Sequence, residues 1–250
     1  MNYEDFIRAK SVNEIAHGFE PKAIGSYLFD FQKVIVEWAC RRGRAAIFAD
    51  TGLGKTAMQI EWANQVATHT GGRVLILAPL CVAQQTVGEA KKFGFHIEYA
   101  RSMAATSAQI VITNYEMLEH FDVSQFAGVV LDESSILKSY MGKTKQALID
   151  ACESVKYKLA CTATPSPNDY LELGNHAAFL GVCASNVMIM KFFTNDTMEA
   201  GAYVLKAHAA DKFWEWCATW SMWMKTSVRC GSWPRVCAPM KIPITCICAG

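Results

Sequence analysis

Five short runs of apolar, often β-branched residues recur along the first two thirds of the chain: RAAIFA (44–49), RVLILA (73–78), QIVIT (109–113), AGVVLDE (127–133) and YKLACTA (157–163). None alternates apolar with polar positions, so each reads as a strand covered on both faces in a central parallel sheet. Between them, GKTAMQIEWANQVATH, CVAQQTVGEAKKFG and GKTKQALIDACES have the length and spacing of helices. Strand–helix alternation of this kind predicts right-handed βαβ units and a doubly wound α/β sheet. The pattern then changes. KFFTNDTMEAGAYVLKAHAADKFWEWCATWSMWMK (191–225) is aromatic-rich and predicted helical, with Phe213, Trp214, Trp216, Trp220 and Trp223 crowded together. Such a stripe reads first as core or interface, and one without a full domain around it suggests a missing packing partner. From Ser227 onward, SVRCGSWPRVCAPMKIPITCICAG fits neither helix nor sheet.

Composition narrows the class without naming the chemistry. The chain has 250 residues, 52% hydrophobic and 19% charged, enough apolar matter for a sizeable core. A formal net charge of +1 gives no support for nucleic-acid binding and leaves room for a local basic groove. The N-terminal MNYEDFIRAKSVNE carries charges throughout, which predicts no secretory leader, and no run has the length of a membrane helix. Ten cysteines include no C-x-x-C pair, so they read as buried or free thiols of a reducing cytosol.

The first run leads straight into ADTGLGKT, Ala49 to Thr56. In a phosphate loop, successive main-chain N–H groups curl round a β-phosphate, and glycines let the backbone come close. Thr51, Gly52, Leu53 and Gly54 would form that loop, Lys55 would reach the β- and γ-phosphates, and the Thr56 hydroxyl would be a Mg²⁺ ligand. A strand before and a helix after are what the motif requires; the bland alternative is a glycine turn capping a helix. The run VVLDESSILK (129–138) ends a strand in Asp132-Glu133. An aspartate at such a position can hold Mg²⁺, and a glutamate beside it can orient and deprotonate an attacking water. Lys55, Asp132 and Glu133 are therefore the candidate catalytic residues, and Thr56 and Asp132 the candidate metal ligands.

With these motifs in order, the sequence resembles the superfamily 2 helicase-type ATPases, in particular Snf2-like DEAD/DEAH-box proteins of phages and their bacterial hosts. The resemblance covers about residues 25–225 and rests on six motifs. That family commonly uses an A-x-x-G-x-G-K-T loop, so Ala49 is its form rather than a defect. LFDFQ (28–32) resembles the adenine-reading segment, with Gln32 at the adenine edge. LAPLCVAQQTVGEAKKFG (77–94) and VITNYEML (111–118) resemble the nucleic-acid contact segments. They imply that Pro79, Leu80, Thr113, Asn114 and Tyr115 lie on the DNA-facing edge and touch backbone phosphates. CTATPSPND (161–169) resembles the motif that links hydrolysis to nucleic-acid binding, with Thr162 and Thr164 suited to bond the Asp132-Glu133 segment. DYLELGNHAAFLG (169–181) and DESS in place of DEAD or DEAH fit the phage Snf2-like group.

The resemblance implies an α/β fold: a three-layer RecA-like P-loop domain with a mostly parallel central sheet, followed by a partial helical extension. It divides the chain into a RecA-like ATP-binding lobe over 1–180, the start of a helical inter-lobe insertion over 181–225, and an atypical tail over 226–250. The implied cofactors are ATP and Mg²⁺. The implied partners are DNA, double-stranded for a Snf2-like protein, and a second RecA-like lobe or partner protein, with no membrane; the implied setting is the cytoplasm of a bacterial host, from a phage or prophage gene. Relatives clamp ATP between two lobes, the second supplying arginine fingers that contribute about 10³–10⁵ in rate in related phosphoryl transfer. No Q-x-x-G-R-x-x-R motif follows residue 165 here. The reading is thus the ATP-hydrolysing lobe of a DNA helicase or translocase, lacking lobe 2 and weakly active alone. A non-catalytic nucleotide-binding or interaction module is the alternative. A P-loop phosphotransferase is disfavoured by Asp132-Glu133 and by the Thr162–Thr164 segment.

Relatives commonly follow the Trp-rich helix with Lys-Pro-Ser-Asp-x-Gly, where this chain has Lys225-Thr226-Ser227-Val228-Arg229-Cys230-Gly231. Codons for Ser-Val-Arg-Cys-Gly, read one nucleotide later, can spell Pro-Ser-Asp-(Ala or Val)-Gly, so the tail is expected to be an out-of-frame extension. The nucleotide sequence tests this: the +1 frame should encode that segment, and a different peptide there sinks the idea.

Overall fold

The computed structural model describes residues 18–139, 142–166, 169–196, 203–225 and 235–237. Within them, β1 (Arg44–Ala49), β2 (Arg73–Ala78), β3 (Ile97–Tyr99), β4 (Ile110–Asn114), β5 (Phe126–Asp132) and β6 (Tyr157–Thr162) build most of one sheet. Strands β7 (Phe193–Asn195) and β8 (Tyr203–Leu205) form a separate antiparallel ribbon, while β9 (Ser221–Lys225) and β10 (Arg235–Cys237) extend the main sheet. Its order is β10-β9-β1-β6-β5-β2-β4-β3, parallel throughout except for the β9–β10 pair.

Side-chain parity along the strands divides the core in two. Ala45, Ile47 and Ala49 of β1, with Val74, Ile76 and Ala78 of β2, meet α1 (Asp30–Arg42), α2 (Lys55–Thr70) and α3 (Leu80–Lys92) on one face. Ala46 and Phe48, with Leu75, Leu77, Val129 and Leu131, face the other way. There they meet α5 (Gly142–Ala151), α6 (Leu173–Leu180), α7 (Ser185–Phe192) and α8 (Ala210–Trp220), with the short α4 (Ile136–Ser139) leading in. The doubly apolar strand runs therefore become a three-layer α/β domain, because each strand has a helical layer to cover either face.

The aromatic-rich segment departs from its helical expectation. Among the described residues there, only α8, the short 3-10 turn Ala207–Ala209 before it and the end of α7 are helical; the β7–β8 ribbon precedes α8, and β9 comes after it, lying parallel to β1. Phe213, Trp216 and Trp220 are core residues, packed edge or tilted against Phe192 and Phe48. The helix stops where Ser221 turns extended, its hydroxyl donating to the Cys217 carbonyl at 2.7 Å and accepting from Trp223 Nε1 at 3.0 Å. A serine that bonds its own preceding turn ends a helix readily, and the open edge of β1 offers main-chain partners to residues 221–225. The tail expected to fit no element supplies β10; residues 226–234, on which the frame argument rests, lie outside the described residues, as does the N-terminal 1–17.

At the N-terminal edge of the sheet, Arg44 of β1 is in register with Lys158 of β6. Lys158 is buried, its Nζ donating to the Phe179 carbonyl at 3.1 Å. Burial, reinforced by the Arg44 charge, lowers its pKa from 10.5 to about 8. The unfolded chain therefore holds this proton more tightly, and between about pH 8 and 10.5 the Lys158 contribution makes stability rise with pH. The Cys152 thiol, pushed up to about 12 by burial, acts in the opposite sense. The readout is hence the difference in urea-unfolding free energy between the wild type and Lys158→Met. That variant should gain stability relative to wild type at pH 8 and lose the advantage towards pH 10.5; a pH-independent difference would refute the assignment.

Candidate functional site

Strands β1, β6 and β5 are adjacent and parallel, so the segments that leave their C-terminal ends emerge side by side. In open α/β sheets this edge is where ligands bind. Leaving β1, the chain turns through Thr51–Gly54 into α2. Gly52 and Gly54 have φ of +86° and +75°, values that side-chain-bearing residues adopt only with strain. A Cβ on Gly52 would meet nothing within 4 Å, so the loop is open on that side. A Cβ on Gly54 would come within 2.2 Å of Gln32 Nε2.

Gln32 explains that close approach. It is buried at the start of α1, accepts from the Phe29 N–H at 3.0 Å, and donates Nε2 to the Leu53 carbonyl at 3.0 Å. The residue expected at an adenine edge thus ties the head of α1 to the phosphate loop. Phe29, largely exposed, stacks on Phe31 beside it. Lys55 Nζ donates to the Ala49 carbonyl at 2.8 Å and the Asp50 carbonyl at 3.3 Å, resting on its own loop. Thr56 comes next, half-buried, in the first turn of a 16-residue helix whose N-terminus faces the loop. Free main-chain N–H groups and the helix dipole favour an anion at such a place.

The acid pair stands at the end of β5. Asp132 is buried; its Oδ1 accepts from Gln59 Nε2 at 2.8 Å, and its carbonyl accepts from the Tyr115 hydroxyl at 2.7 Å. Burial raises the Asp132 pKa, with the Gln59 hydrogen bond and the Lys55 charge pulling it down and Glu133 pushing it up. Glu133 has φ +55°, the only described non-glycine residue with a positive φ. Its Oε1 accepts from Thr162 Oγ1 at 2.6 Å and from Ser135 Oγ. Thr162 Oγ1 in turn accepts from the Thr164 N–H at 3.0 Å, while the Thr164 residue itself is exposed.

The segments expected to meet DNA divide by exposure. Pro79 is half-buried and Leu80 exposed, at the end of β2. Thr113, Asn114 and Tyr115 are buried at the end of β4, Asn114 accepting from Tyr99 and Tyr115 reaching Asp132. Thr113 is wholly buried, and Asn114 and Tyr115 nearly so, so this segment presents little surface to a ligand.

The site suits a Mg²⁺–nucleotide. A Thr hydroxyl and a carboxylate are hard oxygen donors, and Mg²⁺ typically takes one or two carboxylates together with phosphate oxygens and water. Among the described residues no cluster of three or more His, Cys, Asp or Glu could hold a metal by itself, which such shared coordination does not need. Gln59, Ser135 and β9, whose Met224 carbonyl accepts from Asp50 N–H at 3.1 Å, were not marked by sequence reasoning. Gln59 could have been noticed as a polar residue four positions after Lys55 on the sheet-facing side of α2.

Comparisons with known proteins agree with this layout. The Sulfolobus solfataricus SWI2/SNF2 ATPase core, solved in complex with dsDNA, superposes with a TM-score of 0.64 at 21% identity, covering 81% of this chain and 45% of that one. The SWI2/SNF2 ATPase core domain of the same organism gives 0.63 at 20% identity, over 81% and 44%. The UvsW helicase from Bacteriophage T4 gives 0.51 at 16% identity, over 70% and 66%. The chain thus spans less than half of the SWI2/SNF2 chains, and at these identities the likeness is one of fold, a RecA-like α/β domain. No curated protein sequence matches the chain. Residues 29–173, more than half of the sequence, match the DEAD/DEAH box helicase family, and the chain belongs to that family of helicase-type ATPases.

Proposed function

We infer that this domain is the ATP-binding and ATP-hydrolysing lobe of a DNA motor, a helicase or double-strand translocase. One observation carries the reading: the loop after β1, the acid pair after β5 and Thr162 at the end of β6 converge, with Thr162 donating to Glu133 at 2.6 Å. A glutamate placed to activate water is what a hydrolase uses, and a phosphotransferase would arrange its acids otherwise.

In this reading Thr51–Thr56 cradle the nucleotide phosphates, with Lys55 exchanging its loop carbonyls for phosphate oxygens and Gln32 holding the loop from beneath. Thr56 and Asp132 hold Mg²⁺, which supplies charge neutralisation on the phosphates when bound. Glu133 is the base that orients and deprotonates the attacking water. Thr162, joined to Thr164, reports the state of Glu133 to the DNA-facing edge. That edge comprises Pro79 and Leu80, with Thr113, Asn114 and Tyr115 behind them, buried in this structure. Contacts of this kind read phosphate rather than base sequence, which reconciles DNA binding with a near-neutral chain. The solved SWI2/SNF2 core in complex with dsDNA supports double-stranded DNA as the partner. The aromatic-rich region after residue 180 leads towards a second lobe, which would supply the arginine that completes the site.

The test is ATP hydrolysis with and without duplex DNA, on wild type and on Glu133→Gln. DNA should stimulate the wild type, slowly in the absence of a second lobe. Glu133→Gln should lose about 10²–10⁴-fold of that rate while still binding nucleotide. A Glu133→Gln variant as active as wild type would remove Glu133 from the role of base. Nucleotide binding without any hydrolysis would favour a non-catalytic module.

A further inference from the structure

Gln59 is out of place for a core residue. It lies on α2 among Met58, Ile60, Trp62 and Ala63, and like them it is fully buried. A leucine would satisfy the packing there without the cost of burying an amide. Half of that amide is used: Nε2 donates to Asp132 Oδ1 at 2.8 Å, across the gap between α2 and β5. The other half is not. Gln59 Oε1 is buried with no hydrogen-bond partner among the described residues, a condition that folded proteins usually avoid unless the group serves a site. The position is four residues after Lys55 and three after Thr56, so Gln59 shares a helix face with both.

We propose that Gln59 is a positioning residue for the cation of this site, fixing the Asp132 carboxylate so that one oxygen is committed to the amide and the other is presented to Mg²⁺. Partners of this outer kind hold a ligating carboxylate in one orientation, and their removal typically weakens metal binding by about 10–100-fold. Without the amide, Asp132 is free to rotate at the end of its strand, and the oxygen facing the cation is no longer set in advance. Gln59 touches neither phosphate nor attacking water in this arrangement, so its loss acts through the metal and leaves the phosphate loop as it was. The inference rests on the nucleotide reading of this site.

Gln59→Met keeps the length of the side chain and removes the donor. Binding of a fluorescent ADP analogue is followed at increasing Mg²⁺ for wild type and variant, and once in EDTA. The expected result is a Mg²⁺ half-saturation raised about 10–100-fold, with metal-free nucleotide affinity close to wild type. Equal Mg²⁺ dependence in the two proteins would overturn the proposal, as would equal losses with and without Mg²⁺, which mark a purely structural role. Should Gln59→Met fail to fold, Gln59→Asn keeps the amide but withdraws it from Asp132, with the same expectation. A wild type that binds no nucleotide in either condition would overturn the site itself, an outcome distinct from failure of the Gln59 role alone.

Discussion

A carboxylate that is to stand beside a phosphate loop at the end of a central strand has to be buried, and burial opposes its charge. Asp132 is 8% exposed, at the end of the seven-residue β5. Left alone there, an ionised carboxyl would cost several kcal/mol or take up a proton. The surrounding structure offsets this with neutral donors and one nearby cation. Gln59 reaches Oδ1 from α2, the Glu133 main-chain N–H also favours the ionised carboxylate, and Lys55 contributes its charge, while the Tyr115 hydroxyl holds the strand end through the Asp132 main-chain carbonyl. Removing a hydrogen-bond partner from a buried charged group costs about 1.5–3 kcal/mol, so the Gln59 bond ties α2 firmly to this acid. The layering of helices on the sheet is what brings them there.

The neighbouring acid is handled differently. Glu133 occupies a left-handed conformation at +55°, which costs a non-glycine residue on the order of 1–2 kcal/mol. The turn is held by the Ser134 N–H on the Cys161 carbonyl at 2.8 Å, and by Thr162 and Ser135 on the Glu133 carboxylate. These bonds are enough to offset the backbone cost, and they aim the side chain across to β6. Asp132 is therefore fixed by elements away from the edge proposed to meet DNA, except through Tyr115. Glu133 is fixed by the strand end from which the Thr162–Thr164 segment departs. Two adjacent carboxylates end up in environments that respond to different parts of the molecule, which is the arrangement by which acids of one type take different tasks.

Much of this was legible in the sequence, and what was legible has a common cause. The five interior strand runs appear within a residue or so of their expected limits, because apolarity on both faces is forced by two covering layers. The phosphate loop and Asp132-Glu133 were readable because their residue types and spacing are set by chemistry. Edge elements were not. Ile97–Tyr99 is three residues long, and Ser221–Lys225 hides in an aromatic run whose strand character comes from the free side of β1 rather than from its own period. The fates of Thr113 and Asn114 were also hidden: short polar residues at a strand end look like ligand contacts, and only the packing of α3 and β3 against β4 shows them to be interior. Gln59 escaped because a lone glutamine in a helix is ordinarily a surface residue, and its partner lies 73 positions away.

Stiffness and freedom are divided within the loop itself. Its underside is fixed, since Gln32 joins Leu53 to the head of α1 and leaves no room for a side chain at Gly54. Its upper side is open at Gly52, and Lys55 is held only by carbonyl oxygens of the same loop. A lysine on carbonyl oxygens gives them up readily to a phosphate, because an anionic acceptor adds the attraction of opposite charges to the hydrogen bond. The anchored underside means that this exchange cannot be absorbed by a shift of the whole loop. It has to appear at the neighbours of Lys55 instead: Asp50, whose N–H bonds β9, and Asp132, which feels the Lys55 charge. On the proposed reading, nucleotide capture at Lys55 would therefore be felt at Asp132 on one flank and at the Trp-rich edge of the sheet on the other.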